Sequence, residues 1–168
     1  FRSPSRMAFT YLYEIFGDTG LQYAQSYLTA LSGEEQQVLV KQLENRFNTV
    51  LTSSCGRLFD AVSALLGICT RVQYEGQAAI ELETQADIDD AVPYSFDLNT
   101  GSRPYTLGVC STFQEILGDL RHNIPVSIIA GRFHSTIAEM IIKVLERMRE
   151  DTGLSVVALS GGVFQNRL

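Results

Sequence analysis

The 168-residue sequence predicts a mainly α-helical chain with a few strands, an α/β fold in the broad sense. Three observations carry that reading. Apolar residues recur at helical spacing over most of the chain. One stretch near residues 92–109 alternates instead, with turn chemistry at its centre. A short, wholly apolar run from Val156 to Leu159 follows Gly153, the pattern of a strand buried on both faces. With 45% hydrophobic and 19% charged residues the composition is that of a packed globular chain, and the length suffices for one domain with a proper core or a domain with a small appendage. Thirteen basic against nineteen acidic residues leave a net charge of −6 with no basic patch, which speaks against a nucleic-acid partner. Cys55, Cys69 and Cys110 are odd in number and lack a Cys-x-x-Cys pair, so no disulfide framework or zinc knuckle is indicated and a reducing, cytoplasmic setting is expected. No apolar run approaches a membrane span and no signal peptide is evident. Phe1 is not an initiator methionine and Leu168 falls where a last helix begins, so both ends read as cut from something larger.

Ser3-Pro4-Ser5 opens the first helix, in which Met7, Tyr11, Leu12, Ile15 and Phe16 recur at helical spacing up to Gly17. A second amphipathic helix runs from Gly20 to Leu31 on Leu21, Ala24, Leu28 and Leu31. Ser32-Gly-Glu-Glu caps a third, extending to Phe47 with Val38, Leu39 and Leu43 on its face. Short loops join these three, so residues 1–50 read as a small helical bundle segment, and its tyrosines (Tyr11, Tyr13, Tyr23, Tyr27) as packing residues. Residues 51–168 form the second part. The serines around 52–54 cap a helix with a wide apolar face, Leu58, Phe59, Val62, Leu65 and Leu66, ending at Gly67. Another helix spans about residues 76 to 87, with Ala78, Ala79 and Leu82 inward. Ile88 to Ala91 is a loop or short turn. Tyr94 to Leu98 alternates like a strand, and Asn99-Thr-Gly-Ser turns the chain towards a second strand at Tyr105-Thr-Leu107. A helix opens at Ser111. The longest one starts at Asn123-Ile-Pro125 and carries Ile129, Phe133, Ile137, Met140, Ile141, Val144 and Met148 to about Asp151.

Three polar breaks in this apolar pattern are candidate functional residues. Ser160-Gly161-Gly162 stands between the closing strand and the start of a helix at Val163. Paired glycines there admit a ligand to backbone N–H groups, and a helix N-terminus favours phosphate. Asn166, about a turn further on, is placed to reach back to a sugar or base. The alternative is a tight turn that needs glycine only for positive φ. Asp60 lies inside an apolar helix, poor placement for a charge unless it faces a cleft, where a carboxylate suits paired sugar hydroxyls. Equally, Asp60 pairs with Arg57 three residues before it on a solvated face. Gly76 and Gln77 head a helix and repeat the loop-then-helix arrangement. The glutamates of that helix (Glu81 and Glu83) and Glu75 beside it are commonplace and carry no acid–base proposal. His122 and His134 are too few for a metal site without outside ligands and read as satisfied or exposed helical histidines. No Gly-x-Ser-x-Gly elbow exists, and Ser160 has no evident base.

Ser54-Cys-Gly-Arg-Leu-Phe-Asp60 and the residues following to Gly67, Tyr74-Glu-Gly-Gln-Ala-Ala79 and Leu159-Ser-Gly-Gly-Val-Phe-Gln-Asn-Arg-Leu168 resemble, in this order, the C-terminal module of the HypF family of hydrogenase maturation carbamoyltransferases. Arg6-Met-Ala8, Tyr11-Leu-Tyr-Glu14 and Arg132-Phe-His134 resemble it as well, so the likeness runs from end to end. The resemblance implies part of an ATP-binding module of the actin and hexokinase type, related to the proteins that install threonylcarbamoyl on tRNA. In that wider group Gly-Glu-Ala-Phe-Asp-Lys stands where Gly56-Arg-Leu-Phe-Asp-Ala61 stands here, and its aspartate holds the ribose. Asp60 is assigned that role by likeness, with Gly76 and Gln77 bordering the nucleoside and Gly161, Gly162 and Asn166 contacting the nucleotide. Arg57 departs from the wider group's glutamate, so nothing is carried over there.

The resemblance further implies an enzyme that uses carbamoyl phosphate and ATP, through a carbamoyl adenylate, to carbamoylate the C-terminal cysteine of HypE on the way to the cyanide ligands of nickel-iron hydrogenase. The acylphosphatase-like, zinc-finger and adenylate-forming modules and the metal-binding histidine cluster of that family have no counterpart in these residues. Metal ion and zinc therefore belong to other parts of such an enzyme, no catalytic or metal-ligating residue is assigned here, and the chain alone is expected to be inactive. Asp60, Gly76-Gln77 and Gly161-Gly162-Asn166 are expected to converge on one cleft, where the protein orients and stabilises rather than attacks. The competing reading is a helical protein-docking module whose glycine turns are structural. A sugar or acetate kinase would need a catalytic carboxylate and a second phosphate loop, neither of which is found.

Overall fold

The computed structural model describes residues 3–89 and 91–168, which fall into two compact units, Phe1–Thr84 and Gln85–Leu168. The first is built from helices α1 (Pro4–Phe16), α2 (Asp18–Tyr27), α3 (Gly33–Glu44), α4 (Cys55–Leu65) and α5 (Gln77–Gln85). Pro4 sits in the first turn of α1, where a missing N–H costs nothing. Gly20 lets α2 lie directly on α1, since a Cβ there would overlap the Leu12 carbonyl. Ser32 and Glu35 close a capping box at the head of α3: the Glu35 N–H donates to Ser32 Oγ (3.2 Å) and the Ser32 N–H to Glu35 Oε2 (2.9 Å).

At its other end α3 stops at Glu44, short of the expected Phe47. Arg46 turns left-handed (φ 50) and the Phe47 N–H returns to the Gln42 carbonyl at 2.9 Å, leaving Phe47 exposed. The core of this unit is Ala8, Phe9 and Leu12 of α1 packed on α4, which is buried continuously from Leu58 to Leu65, together with Ala24, Leu28, Ala78 and Leu82. Each large apolar side chain buried there contributes about 1.5–3 kcal/mol.

The second unit contains an antiparallel hairpin of β1 (Asp97–Asn99) and β2 (Thr106–Gly108), then α6 (Cys110–Arg121), α7 (Val126–Thr152) and a 3-10 turn at Gly162–Gln165. Leu98 pairs with Leu107, and the Gly101 N–H donates to Asn99 Oδ1 to close the turn. The first strand is shorter than expected because side chains have claimed its backbone. The Tyr94 N–H donates to Thr136 Oγ1 (2.8 Å), the Ser95 N–H to Glu115 Oε1 (3.1 Å), and the Ser95 carbonyl accepts from Thr112 Oγ1 (2.8 Å). Phe113, Ile116 and Leu117 of α6 and Ile129, Phe133, Ile137 and Met140 of α7 form the core. Gly131 has no room for a Cβ, which would overlap the Asp87 carbonyl. The apolar stripe of α7 is buried only in its first half, and Met148 is exposed. Gly153 ends α7 in the left-handed conformation (φ 71), its N–H returning to the Arg149 carbonyl.

Two expectations are corrected. Val156 to Leu159 forms no strand and is exposed (Val156 88%, Leu159 56%). A strand exists only when another strand takes its N–H and C=O groups, and the sheet among the described residues is the two-stranded hairpin alone. After Gly161 the chain makes a single 3-10 turn rather than entering an α-helix. The expected loop at 88–91 includes Asp90, which with Phe1 and Arg2 lies outside the described residues. Among the described residues no helix is long and apolar enough to cross a membrane.

Candidate functional site

Asp60 is 3% exposed, on α4 within its buried run from Leu58 to Leu65. It pairs with Arg57, as the spacing allows, but the pair is drawn inward rather than lying on a solvated face. Arg57 Nη1 stands 2.7 Å from Asp60 Oδ2, but out of line for a hydrogen bond, so this oxygen has no hydrogen-bond donor. Burial pushes the Asp60 carboxyl above its ordinary value, against the opposing charge of Arg57. Ser63 Oγ, one turn along α4, is likewise buried without a partner.

Gly76 adopts a left-handed conformation (φ 83) that favours glycine, and leads into α5. The side chain of Gln77 is spent on its own loop: its Oε1 accepts from the Gln73 N–H and its Nε2 donates to Glu81 Oε1, both at 2.7 Å. The Cys69 thiol donates to the Arg71 carbonyl (3.4 Å). Burial, Glu81 and then the charge of Asp60 push the Cys69 thiol up to about 11, holding it as an unreactive thiol. Asp60 and the Gly76-Gln77 turn lie in the same unit.

In the other unit, Gly161 is left-handed (φ 103), a conformation that by itself requires glycine. Gly162 is not left-handed, and a Cβ on it would meet no protein atom within 4 Å. Positive φ therefore accounts for the first glycine of the pair and not for the second. Asn166 closes the 3-10 turn, where its Nδ2 donates to His134 Nε2 (3.0 Å) and its Oδ1 accepts from the Leu168 N–H (3.0 Å). His134 is buried, and its partnership with Asn166, 32 residues away, has no local signal in the sequence.

A second polar group also escaped sequence reasoning. Asp119 Oδ2 accepts from both Tyr94 Oη and Arg132 Nη1, each at 2.7 Å, tying α6, α7 and the segment before β1 together. Burial, then the Asp119 carboxylate, raises the Tyr94 hydroxyl well above its usual pKa, so it stays a donor. A cavity of about 320 Å³ lined by Arg103, Tyr105, Val144, Met148 and Asp151 contains none of the candidate nucleotide-binding residues. Among the described residues no group of three His, Cys, Asp or Glu side chains stands close enough to hold a metal ion.

Known proteins match this arrangement along its whole length. The family described as "Carbamoyltransferase, Kae1-like Domain, second subdomain" matches residues 1–168. The probable carbamoyltransferase HypF of Methanocaldococcus jannaschii is 29% identical over 98% of this chain and 21% of its own length. The carbamoyltransferase HypF of Synechocystis is 30% identical over 97% of this chain and 22% of its own. A crystal structure of full-length HypF in its phosphate- and nucleotide-bound form aligns with a TM-score of 0.89 at 29% identity, covering 99% of this chain and 21% of that one. The chain therefore spans about a fifth of the length of these three proteins. By sequence over its full length and by fold, it belongs to the HypF carbamoyltransferase family, as the second subdomain of the Kae1-like domain.

Proposed function

We propose that this chain supplies nucleotide contacts in a HypF-like carbamoyltransferase that uses carbamoyl phosphate and ATP, by way of a carbamoyl adenylate, to carbamoylate the C-terminal cysteine of HypE for hydrogenase cyanide-ligand synthesis in the cytoplasm. Residues 1–50 act as a helical scaffold and 51–168 as the nucleotide-binding part. Each unit contributes its own share: Asp60, Gly76 and Gln77 on the nucleoside side, Gly161, Gly162 and Asn166 on the phosphate side. ATP supplies the activating phosphoanhydride. The residues here bind and orient it, Asp60 by accepting from ribose hydroxyls and the glycine turn by presenting backbone N–H groups. Because the Gln77 amide is spent on its loop, its role is to set the shape of the Gly76 turn.

The observation that carries this reading is Asp60. A carboxylate buried on a core helix, with one oxygen that no protein donor satisfies, costs stability and calls for a compensating role. A ribose diol provides the missing donors. The nucleotide-bound state of the HypF structure that this chain matches supports the same ligand class.

The test is calorimetry of ATP binding to a carbamoyltransferase of full family length carrying this chain. Asp60→Ala should weaken binding by about 1–3 kcal/mol, the worth of hydrogen bonds to a charged group. Unchanged affinity would remove Asp60 from the site. The 168-residue chain alone should transfer no carbamoyl group to HypE, and measurable turnover by it would overturn the division of labour proposed here.

A further inference from the structure

We infer that His134 is a positioning residue that sets the orientation of the Asn166 side chain for nucleotide. This rests on the reading of Asn166 as a nucleotide contact. The ring of His134 is 5% exposed and packs edge-on against Phe133. Its Nδ1 lies 2.8 Å from the Ala130 carbonyl one helical turn back, and a carbonyl only accepts, so Nδ1 carries the hydrogen. In the neutral ring Nε2 is then an acceptor, and it meets Asn166 Nδ2 at 3.0 Å. Asn166 Oδ1 accepts from the Leu168 N–H at 3.0 Å, so the amide is held from both ends and cannot flip without losing both bonds.

The surroundings make this contact matter. From Gly153 to Gln165 the chain is exposed, with only Val163 half-buried. Such a segment has little packing to fix it, and ordering it on a ligand costs conformational entropy. The buried end of α7 supplies a rigid anchor: the His134–Asn166 bond ties the residue that closes the 3-10 turn to a core helix. One amide hydrogen of Asn166 is spent on His134, leaving the second hydrogen and the remaining lone pair of Oδ1 in a set direction for a ligand.

The test uses a carbamoyltransferase of full family length carrying this chain, with ATP as probe. Nitrogen-15 NMR of the imidazole should show the Nδ1–H tautomer, and the Nε2–H tautomer would overturn the proposal without any substitution. His134→Phe keeps the ring volume and removes both bonds. It should weaken ATP about fivefold to tenfold, the worth of one hydrogen bond. His134→Gln restores an acceptor near the position of Nε2 and should stay within about threefold of the parent, whereas a loss equal to that of His134→Phe counts against the mechanism. Combined with Asn166→Ala, His134→Phe should add nothing, because the two act as one unit, and additive losses would show independent roles. If Asn166→Ala weakens ATP binding and His134→Phe does not, positioning by His134 is refuted while the nucleotide reading stands. If Asn166→Ala leaves affinity unchanged, the nucleotide role of Asn166 falls and this inference with it.

Discussion

Asp60→Asn is expected to stabilise the fold while weakening the proposed nucleotide contact. The side chain of Asp60 is 5% exposed and that of Arg57 20%, so the charged pair has surrendered much of its hydration. Asp60 Oδ2 has no aligned donor in return, and a buried polar atom in that position costs about 1–3 kcal/mol. Removing one member of a fully buried ion pair strands the other charge at a cost, but the Arg57 side chain is 20% exposed and can hydrate its guanidinium once the carboxylate is gone. Asparagine keeps the shape, removes the charge and frees Arg57 to turn to solvent. At neutral pH the gain should be about 1–3 kcal/mol, a rise in Tm of roughly 2–10 °C for a chain of this size.

The pH dependence has a definite sign. Burial raises the folded carboxyl above its ordinary 3.8, so the native state holds the proton more tightly than the unfolded chain. This share of stability is present below about pH 4 and is lost as pH rises from there through the raised folded value. Calorimetric scans of the parent and Asp60→Asn should therefore converge at low pH and separate above that window. A lower Tm for Asp60→Asn at pH 7 would show that the attraction of Arg57 outweighs burial, and the inference that Asp60 is kept at a cost to stability would fail.

Three further substitutions test the packing. Gly131→Ala places a Cβ into the Asp87 carbonyl and should destabilise the second unit by about 3 kcal/mol, with an unchanged melting curve as the refuting result. Ser32→Ala removes half of the capping box and should cost about 1 kcal/mol. Hydrogen exchange should rise at the first turn of α3 if the box holds it, and equal protection in both proteins would contradict this. Tyr94→Phe deletes the donor to Asp119 and should cost about 1 kcal/mol in denaturant unfolding, while an unaltered midpoint would place the hold on this segment in its bonds to Thr136, Glu115 and Thr112.

Much of the helical framework was legible from residue order because its causes are local. The Ser32–Glu35 box, Pro4 in a first turn, Asn99 and Gly101 at the hairpin and Gly153 after the longest helix each act on backbone a few residues away. The special residues of the candidate site were legible on the same terms. A charge inside an apolar helix marked Asp60, and glycines at breaks marked Gly76 and Gly161, both of which adopt positive φ. Less was visible of what surrounds them. Spacing put Arg57 beside Asp60 but gave no hint that both would be drawn inward, since depth depends on which helices pack against α4.

What residue order alone determined, then, is where the chain winds into helices and where it must bend, because periodicity, caps and glycine act within one or two turns. Only the tertiary structure decided which polar groups meet and which apolar runs are covered. Tyr94 and Ser95 give their backbone bonds to side chains of α6 and α7 instead of a strand, and Asn166 finds His134 across 32 residues. Val156 to Leu159, read as a buried strand from its composition, is unpaired and exposed, because pairing and burial are supplied by neighbours that an apolar run cannot specify for itself.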